Sequence, residues 1–266
     1  MLLAKKLTVY DTVHNKIATP IKLYEPYFHG RIVAAPDNRT LYIADSQNQA
    51  LGVVDLTSGG HRLLKPSVWP YDVAVSRDGR TVYSAGCKQS CRPGYLQRFD
   101  VATQQFTQEL PIAGHPHRLI LSPDGQRAYV VHLGPPSVSS IDLAAWRVIA
   151  TVPLPRTFTE AGTPDEAAIS PDGATLYVTS QELGTVTAVD TATTALRSQM
   201  SVFLAHDIVL APDGSRLYVS TAGAVAEQAR IEPPRNGFDR GREFGDATNR
   251  ISGTSSVMVI APRAAQ

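Results

Sequence analysis

The sequence predicts an all-β fold, a β-propeller of four-stranded antiparallel blades, and three observations predict it. The first is a repeat: APDNRTLYIAD from Ala35, SRDGRTVYSAG from Ser76, SPDGQRAYVVH from Ser122, SPDGATLYVTS from Ser170 and APDGSRLYVST from Ala211 share one pattern. Their central aspartates, Asp37, Asp78, Asp124, Asp172 and Asp213, stand 41, 46, 48 and 41 residues apart. That spacing is too short for a domain and fits one supersecondary unit. The second observation is that each copy encodes a hairpin. Asp-Gly or Asp-Asn supplies the tight turn, because Gly and Asn reach positive φ cheaply. Short apolar runs such as Asp72-Val73-Ala74-Val75 precede it and strand formers such as Leu176-Tyr177-Val178-Thr179 follow. The third is a further strand-rich run ending in Asp at Asp11, Asp55, Asp100, Asp142 and Asp190, followed by a polar turn and another strand such as Arg147–Val152. Each unit therefore holds two hairpins and four strands.

A single four-stranded sheet cannot bury both of its faces, and radial stacking of the units does so while leaving short, protected edges. A linear solenoid would require shorter and more uniform coils. In the stacked arrangement the repeat tyrosines Tyr42, Tyr83, Tyr129, Tyr177 and Tyr218 pack between neighbouring sheets. The whole chain, residues 1–266, reads as one domain, with residues 222–255 as a loop inserted in the last blade.

Composition agrees with a folded chain: 43% of the 266 residues are hydrophobic and 18% charged, and the formal net charge is +1. That charge gives no global attraction for nucleic acid. Nothing reaches the length of a membrane-spanning segment, and no apolar stretch of secretory length follows Lys5 and Lys6. An export signal removed ahead of Met1 stays open. Cys87 and Cys91, four residues apart in a Gly- and Pro-containing loop, are expected to close a local disulfide, which favours a periplasmic or extracellular location; reduced thiols and a cytoplasmic location are the alternative.

Residues 171–190, PDGATLYVTSQELGTVTAVD, resemble the YVTN-type β-propeller repeat, and the resemblance extends over nearly the whole chain outside the Arg-rich insertion. It implies the propeller fold. Proteins with similar repeats include surface-layer and periplasmic binding proteins, lactonase-like hydrolases, streptogramin-lyase-like enzymes and subunits of cofactor-dependent dehydrogenases. None of their catalytic signatures maps onto a residue of this chain.

Five first hairpins are present, whereas the second-hairpin strand occurs six times if Ser256–Ile260 is counted. The chain thus begins and ends in mid-blade. The N-terminal strand around Lys16–Leu23 is expected to complete the sheet begun by residues 206–221 and 256–261, closing a five-bladed ring. A piece of a six- or seven-bladed ring is the alternative, in which case an oligomer or partner subunit completes it.

Topology makes the functional argument directional. The first turn of each unit is uniformly Asp-Gly or Asp-Asn, so that face is structural. The opposite face carries the irregular lengths. The interval from repeat Tyr to Asp is 13 residues in three units but 17 around Cys87 and Cys91, the connection before Asp172 is lengthened through 155–162, and the 222–255 insertion follows Tyr218. Repeat insertions commonly map to the binding side.

The innermost strands start on that same face. Six residues before the repeat aspartates stand Arg31, Asp72, Arg118, Glu166 and Asp207, and one residue earlier stand Gly30, Tyr71, His117, Asp165 and His206, with His29 and His115 nearby. Such residues converge on one axis. Alternating Arg and carboxylate groups can simply neutralise one another there. The sharper assignments are His117 and His206 as general bases oriented by Asp72, Asp165 or Asp207, with Arg31, Tyr71, Arg118 and Glu166 holding a ligand. His29, His117 and His206 are candidate ligands for a divalent metal, since imidazole suits zinc, copper or iron. No nucleophile elbow, phosphate loop or dinucleotide fingerprint occurs.

The expected function is accordingly a module that binds a small ligand or a protein on the irregular face. A metal-dependent, lactonase-like hydrolase or lyase at the channel mouth is the alternative, and an accessory subunit closing over a partner is a third reading.

Overall fold

The structure is a computed structural model and describes residues 6–11, 13–17, 20–22, 31–155, 164–222, 244–252 and 255–262. All regular elements among them are strands. Four short N-terminal strands come first, β1 (Lys6–Leu7), β2 (Tyr10–Asp11), β3 (Lys16–Ile17) and β4 (Ile21–Lys22), with β1 paired to β4 and β2 to β3.

Five four-stranded sheets follow. Sheet 1 is β5 (Arg31–Ala34), β6 (Thr40–Asp45), β7 (Ala50–Asp55) and β8 (His61–Leu64). Sheet 2 is β9 (Trp69–Val75), β10 (Thr81–Cys87), β11 (Gly94–Asp100) and β12 (Gln105–Ile112). Sheet 3 is β13 (Pro116–Leu121), β14 (Arg127–Leu133), β15 (Pro136–Asp142) and β16 (Arg147–Pro153). Sheet 4 is β17 (Ala167–Ile169), β18 (Thr175–Ser180), β19 (Thr185–Asp190) and β20 (Ala195–Ser201). Each of these four sheets runs in sequence order and is antiparallel throughout, as the repeat predicts.

Sheet 5 departs from that order. It contains β21 (Ala205–Leu210), β22 (Leu217–Ala222), β23 (Phe244–Ser252) and β24 (Ser255–Pro262), arranged β21-β22-β24-β23. The third position is β24, where the sequence places Ser256–Ile260. The fourth is β23, from inside the expected 222–255 insertion. The expected closing strand is therefore corrected: Lys16–Ile17 pairs with Tyr10–Asp11, and the sheet is completed from its own insertion. A second correction follows from register. Ala222 pairs with Ser255, whereas Phe244 pairs with Pro262 and Leu217 with Ile260. The connection from β22 to β23 thus starts at one end of the sheet and finishes at the other, so this insertion does not belong to one face alone.

The chain divides into two compact units, residues 1–119 and 120–266, the division falling within β13. In the first unit Tyr42, Ala44, Leu51 and Val53 of sheet 1 pack on Val73, Val82 and Phe99 of sheet 2. On the other face of sheet 1, Leu41, Ile43 and Val54 are covered by Leu7 and Ile21 of the N-terminal strands. In the second unit Tyr129, Val131 and Val138 of sheet 3 meet Ala167, Leu176 and Val178 of sheet 4. Tyr177, Val186, Ala188 and Met200 of sheet 4 meet Ile208, Leu217 and Val219 of sheet 5. One polarity runs through all three junctions: the face bearing the repeat tyrosine packs on the next sheet. Second strands such as β6, β10 and β18 are consequently buried along both faces, whereas the outer β16 alternates between exposed and half-buried residues.

The repeat turns follow from their chemistry. Gly79, Gly125, Gly173 and Gly214 take φ of 71°, 70°, 73° and 72°, and Asn38 takes 55°. Each donates its N–H to the carbonyl three residues back, over 2.8 to 3.1 Å. The preceding aspartate accepts the N–H two residues on, as Asp78 does from Arg80 at 3.0 Å and Asp172 from Ala174 at 2.9 Å. Asp55, Asp100, Asp142 and Asp190 accept N–H groups in the second turns in the same way.

These contacts depress the carboxyls. The hydroxyls of Ser76, Ser122 and Ser170, then backbone N–H groups, hold Asp78, Asp124 and Asp172 below the ordinary aspartate range; the Ser215 hydroxyl and N–H do so for Asp213, and the Arg39 and Thr40 N–H groups for Asp37. The folded chain therefore holds fewer protons than the unfolded chain just below the ordinary value, so this stability is complete above it and is lost as pH falls through the lower folded values. The urea midpoint is expected to stay level from pH ~7 to ~5 and to drop below pH ~4. A midpoint unchanged under acid conditions would contradict the turn assignment. Gly173→Ala forces a side chain into φ of 73° with its Cβ 3.2 Å from Pro123, and is expected to lower stability by about 1 to 2 kcal/mol in denaturant titration.

Candidate functional site

The predicted site residues divide between the two units. In the first, β9 enters sheet 2 through a bulge. Ala85 pairs with Asp72 but Gly86 pairs with Pro70, leaving Tyr71 as the extra residue. Bulges re-aim side chains, and the half-buried Tyr71 brings its hydroxyl 3.9 Å from the Cys91 sulfur. The same device recurs in β21, where the register shifts between Ala205 and Ile208 around His206 and Asp207. Tyr71 and His206 occupy equivalent repeat positions, so sequence spacing finds the positions while the bulges become visible only in the backbone.

Cys87 and Cys91 close a disulfide with Cα atoms 4.6 Å apart. Cys87 is fully buried at the end of β10, and the tip of the loop, Gln89, Ser90, Arg92 and Pro93, is exposed. The Cys91 carbonyl accepts the His115 N–H at 3.1 Å, which ties the loop to the β12–β13 connection. Two glycines permit this crowding. A Cβ on Gly86 would lie 2.0 Å from the Trp69 carbonyl oxygen, and one on Gly94 would lie 2.6 Å from that of Ala113. At the base, Lys88 pairs with Glu109 at 2.8 Å and lies 4.4 Å from the centre of the Tyr95 ring. Gln97 donates to Glu109 and to Ser67, each at 3.0 Å. Trp69, Tyr71, His115 and His117 are half-buried around this corner. Sequence reasoning identified the loop, Tyr71 and His117 but not Trp69, Gly86 or Gly94, whose meaning depends on backbone approach across strands.

Asp72, a candidate catalytic carboxylate, lies buried in β9 with both oxygens hydrogen-bonded. One oxygen accepts the Val73 N–H at 2.8 Å; the other accepts Arg118 at 2.9 Å and the Leu119 N–H at 2.8 Å. Burial pushes the Asp72 carboxyl up, against the opposing pull of Arg118, the two N–H groups and Arg31. Both oxygens are committed, and Asp72 clasps β9 to the start of β13. Arg31 lies near enough to bias the same carboxyl. Arg118 and Asp72 thus form a largely buried ion pair.

In the second unit, Glu166 is buried and joined to β18 through its backbone: its N–H donates to the Thr179 hydroxyl at 3.1 Å and its carbonyl accepts the Thr179 N–H at 2.9 Å. The Thr179 hydroxyl also donates to the His206 carbonyl at 2.7 Å, linking sheets 4 and 5. Asp165 accepts the Gln181 N–H at 2.6 Å. Burial raises its carboxyl, with the Gln181 N–H and the nearby His206 pulling it down. His206 is exposed, and the Asp207 side chain accepts the Ile208 N–H at 2.8 Å. His29 and Gly30 lie outside the described residues. Among the described residues no cluster of three or more His, Cys, Asp or Glu side chains is placed to hold a metal.

Replacing Asp72 by Ala removes a carboxylate that accepts from Arg118 and from two N–H groups in a largely buried setting, and is expected to cost about 3 to 5 kcal/mol. Asp207→Ala, which removes one exposed local contact, is expected to cost under about 1 kcal/mol. Equal losses in parallel melting experiments would argue against the clasp.

No known family profile matches the chain, and no curated protein does. Solved structures do. A hydrazine synthase chain from Kuenenia stuttgartiensis matches with a TM-score of 0.55 and 17% identity over 82% of this chain and 86% of that one. A protein of unknown function from Desulfotomaculum acetoxidans matches with a TM-score of 0.64 and 17% identity, over 82% of this chain and 70% of that one. The Swd1 β-propeller domain from Myceliophteria thermophila matches with a TM-score of 0.57 and 15% identity; the alignment covers 72% of this chain but only 62% of that one. At such identities the likeness concerns the fold, and with the five four-stranded antiparallel sheets it makes this chain a β-propeller protein.

Proposed function

We propose that the chain is a binding module whose recognition corner is the disulfide-closed loop of sheet 2 together with Trp69, Tyr71, His115 and His117. The observation that carries this reading is preorganisation. An exposed loop tip is held by a disulfide, by the Cys91–His115 backbone bond and by two glycines that let strands approach closely. A loop already fixed loses little entropy when a ligand arrives. Half-buried aromatic and imidazole groups offer flat contact area, and Arg92 adds an exposed cation beside them. That combination suits a small aromatic carboxylate, or a protein segment presenting the same groups. The small net charge of +1 disfavours nucleic acid, and the Cys87–Cys91 pair supports a periplasmic or extracellular setting. We read residues 1–266 as working as one propeller.

A second reading, hydrolysis or elimination by acid–base chemistry, is favoured by one observation: Asp165, its carboxyl raised by burial, lies close enough to His206 to feel its opposing pull. His117, His206 and a divalent metal belong to that reading.

Titration of the nitrogen-15-labelled chain with small aromatic carboxylates tests the binding corner. Shifted resonances are expected to cluster in 69–71, 88–95 and 113–118. Arg92→Ala and Tyr71→Ala are expected to weaken binding at least ~10-fold without changing the melting temperature, and reduction of the disulfide should weaken it as well. Perturbations confined to residues near Asp165 and His206 would favour the second reading, and titration without any clustered shift would overturn the first.

A further inference from the structure

Within the second unit, the junction between sheets 3 and 4 holds a cleft of about 500 Å³ on the side of the Asp-Gly turns. One wall is the 122–129 hairpin and the other is formed by the turns of sheet 4 at 171–173 and 191–192, so no lining residue adjoins an undescribed segment. Two contacts brace the walls. Arg127 donates to the Thr191 carbonyl at 2.8 Å, and Pro123 lies so close to Gly173 that a Cβ there would come within 3.2 Å of the proline ring.

The repeat explains why space opens here. The residue after the second-hairpin aspartate is Leu56, Val101 or Leu143 in sheets 1, 2 and 3, and Val101 packs into the core between sheets 1 and 2. In sheet 4 that residue is Thr191, whose hydroxyl donates to the Gly173 carbonyl of its own sheet at 2.6 Å. A hydroxyl bonded in this way does not fill the junction as a branched alkyl group does.

The deep end of the cleft is polar and unsatisfied. Tyr129 lines it while exposed by only 2%, and the Tyr129 hydroxyl has no hydrogen-bond partner among the described residues. The equivalent Tyr83 hydroxyl accepts from Arg98 at 3.4 Å. Ser140 pairs with Tyr129 across β14 and β15 and so shares its face, and its buried hydroxyl also lacks a partner among the described residues. Folded interiors rarely leave such groups unmatched.

The outer part carries charge. Asp124 accepts the Ser122 hydroxyl at 2.5 Å and the Gln126 N–H at 3.0 Å through one oxygen, and Asp172 accepts the Ser170 hydroxyl and the Ala174 N–H through one oxygen. These turn contacts hold both carboxyls below the ordinary range, so both are charged at neutral pH, and the second oxygen of each is left for another donor. Arg127 offsets one of the two charges and the cleft stays negative. Two carboxylates fall short of the roughly six to eight oxygens that a calcium ion takes, whereas the rings of Pro123 and Pro171 suit a carbon skeleton. We propose that this cleft binds a small organic ammonium ion, with Asp124 and Asp172 meeting the ammonium group, the two prolines covering the carbon chain and the Tyr129 hydroxyl bonding a polar group at the far end.

Titration of the nitrogen-15-labelled chain with 4-aminobutan-1-ol, up to about 50 mM, tests this, with butane-1,4-diol and 4-hydroxybutanoate as neutral and anionic counterparts. Shifted resonances are expected to cluster in 122–129, 171–174 and 190–193, and the two counterparts are expected to bind at least ~10-fold more weakly. Tyr129→Phe, which removes a hydroxyl and no bulk, is expected to weaken binding about fivefold. Thr191→Leu restores the side chain found in sheets 1 and 3, and is expected to abolish the shifts without lowering the melting temperature. The absence of clustered shifts, equal binding of the diol, or unchanged binding in a Thr191→Leu chain that melts like the parent would overturn the proposal. Should Thr191→Leu melt early, Tyr129→Phe decides, and an unchanged affinity in it would overturn the proposal as well.

Discussion

The structure depends on one constraint: a single four-stranded sheet is too small to be stable by itself, so its apolar faces must be covered by packed neighbours. The middle strands carry the consequence. β6, β10, β14 and β18 are buried almost throughout, and their tyrosines fill the space between sheets. The tight Asp-Gly turns then serve to deliver strands of matching length to the stack, and their depressed carboxyls reflect backbone geometry rather than chemistry at a site.

Polar groups at the loop end of the sheets obey the same constraint. Asp72 is tolerated in a buried setting because Arg118 and two N–H groups meet its oxygens. Thr179 links the backbones of Glu166 and His206 with a single hydroxyl. Their hydrogen bonds join neighbouring strands and sheets. The loop end of sheet 2 is less regular: a bulge displaces Tyr71, and the loop tip is held in place by the Cys87–Cys91 bond.

Much of this was legible in the sequence, because turn chemistry and strand formers repeat in register. Asp-Gly at four positions, the aspartates ending β7, β11, β15 and β19, and the tyrosines each declare their place locally. Local signals cannot declare which strand pairs with which when a long connection intervenes. The fourth strand of sheet 5 therefore came from 244–252 and not from the N-terminal segment, since β23 has no repeat signature to mark it. Likewise the charges at the starts of the inner strands were visible, but their pairing was not: Asp72 and Arg118 stand 46 residues apart and meet only because β9 and β13 begin side by side. Gly86 and Gly94 carry no signal at all until the Trp69 and Ala113 carbonyls are seen against them.

The claim beneath all of this is that stacking, and not the individual sheet, supplies stability. Native-state hydrogen exchange resolved by residue tests it most directly. Stacking predicts the slowest exchange in the middle strands β14, β15, β18 and β19, with the outer strands β16 and β20 exchanging through smaller, local openings. Exchange at one uniform rate across each sheet, or protection greatest in the outer strands, would contradict it.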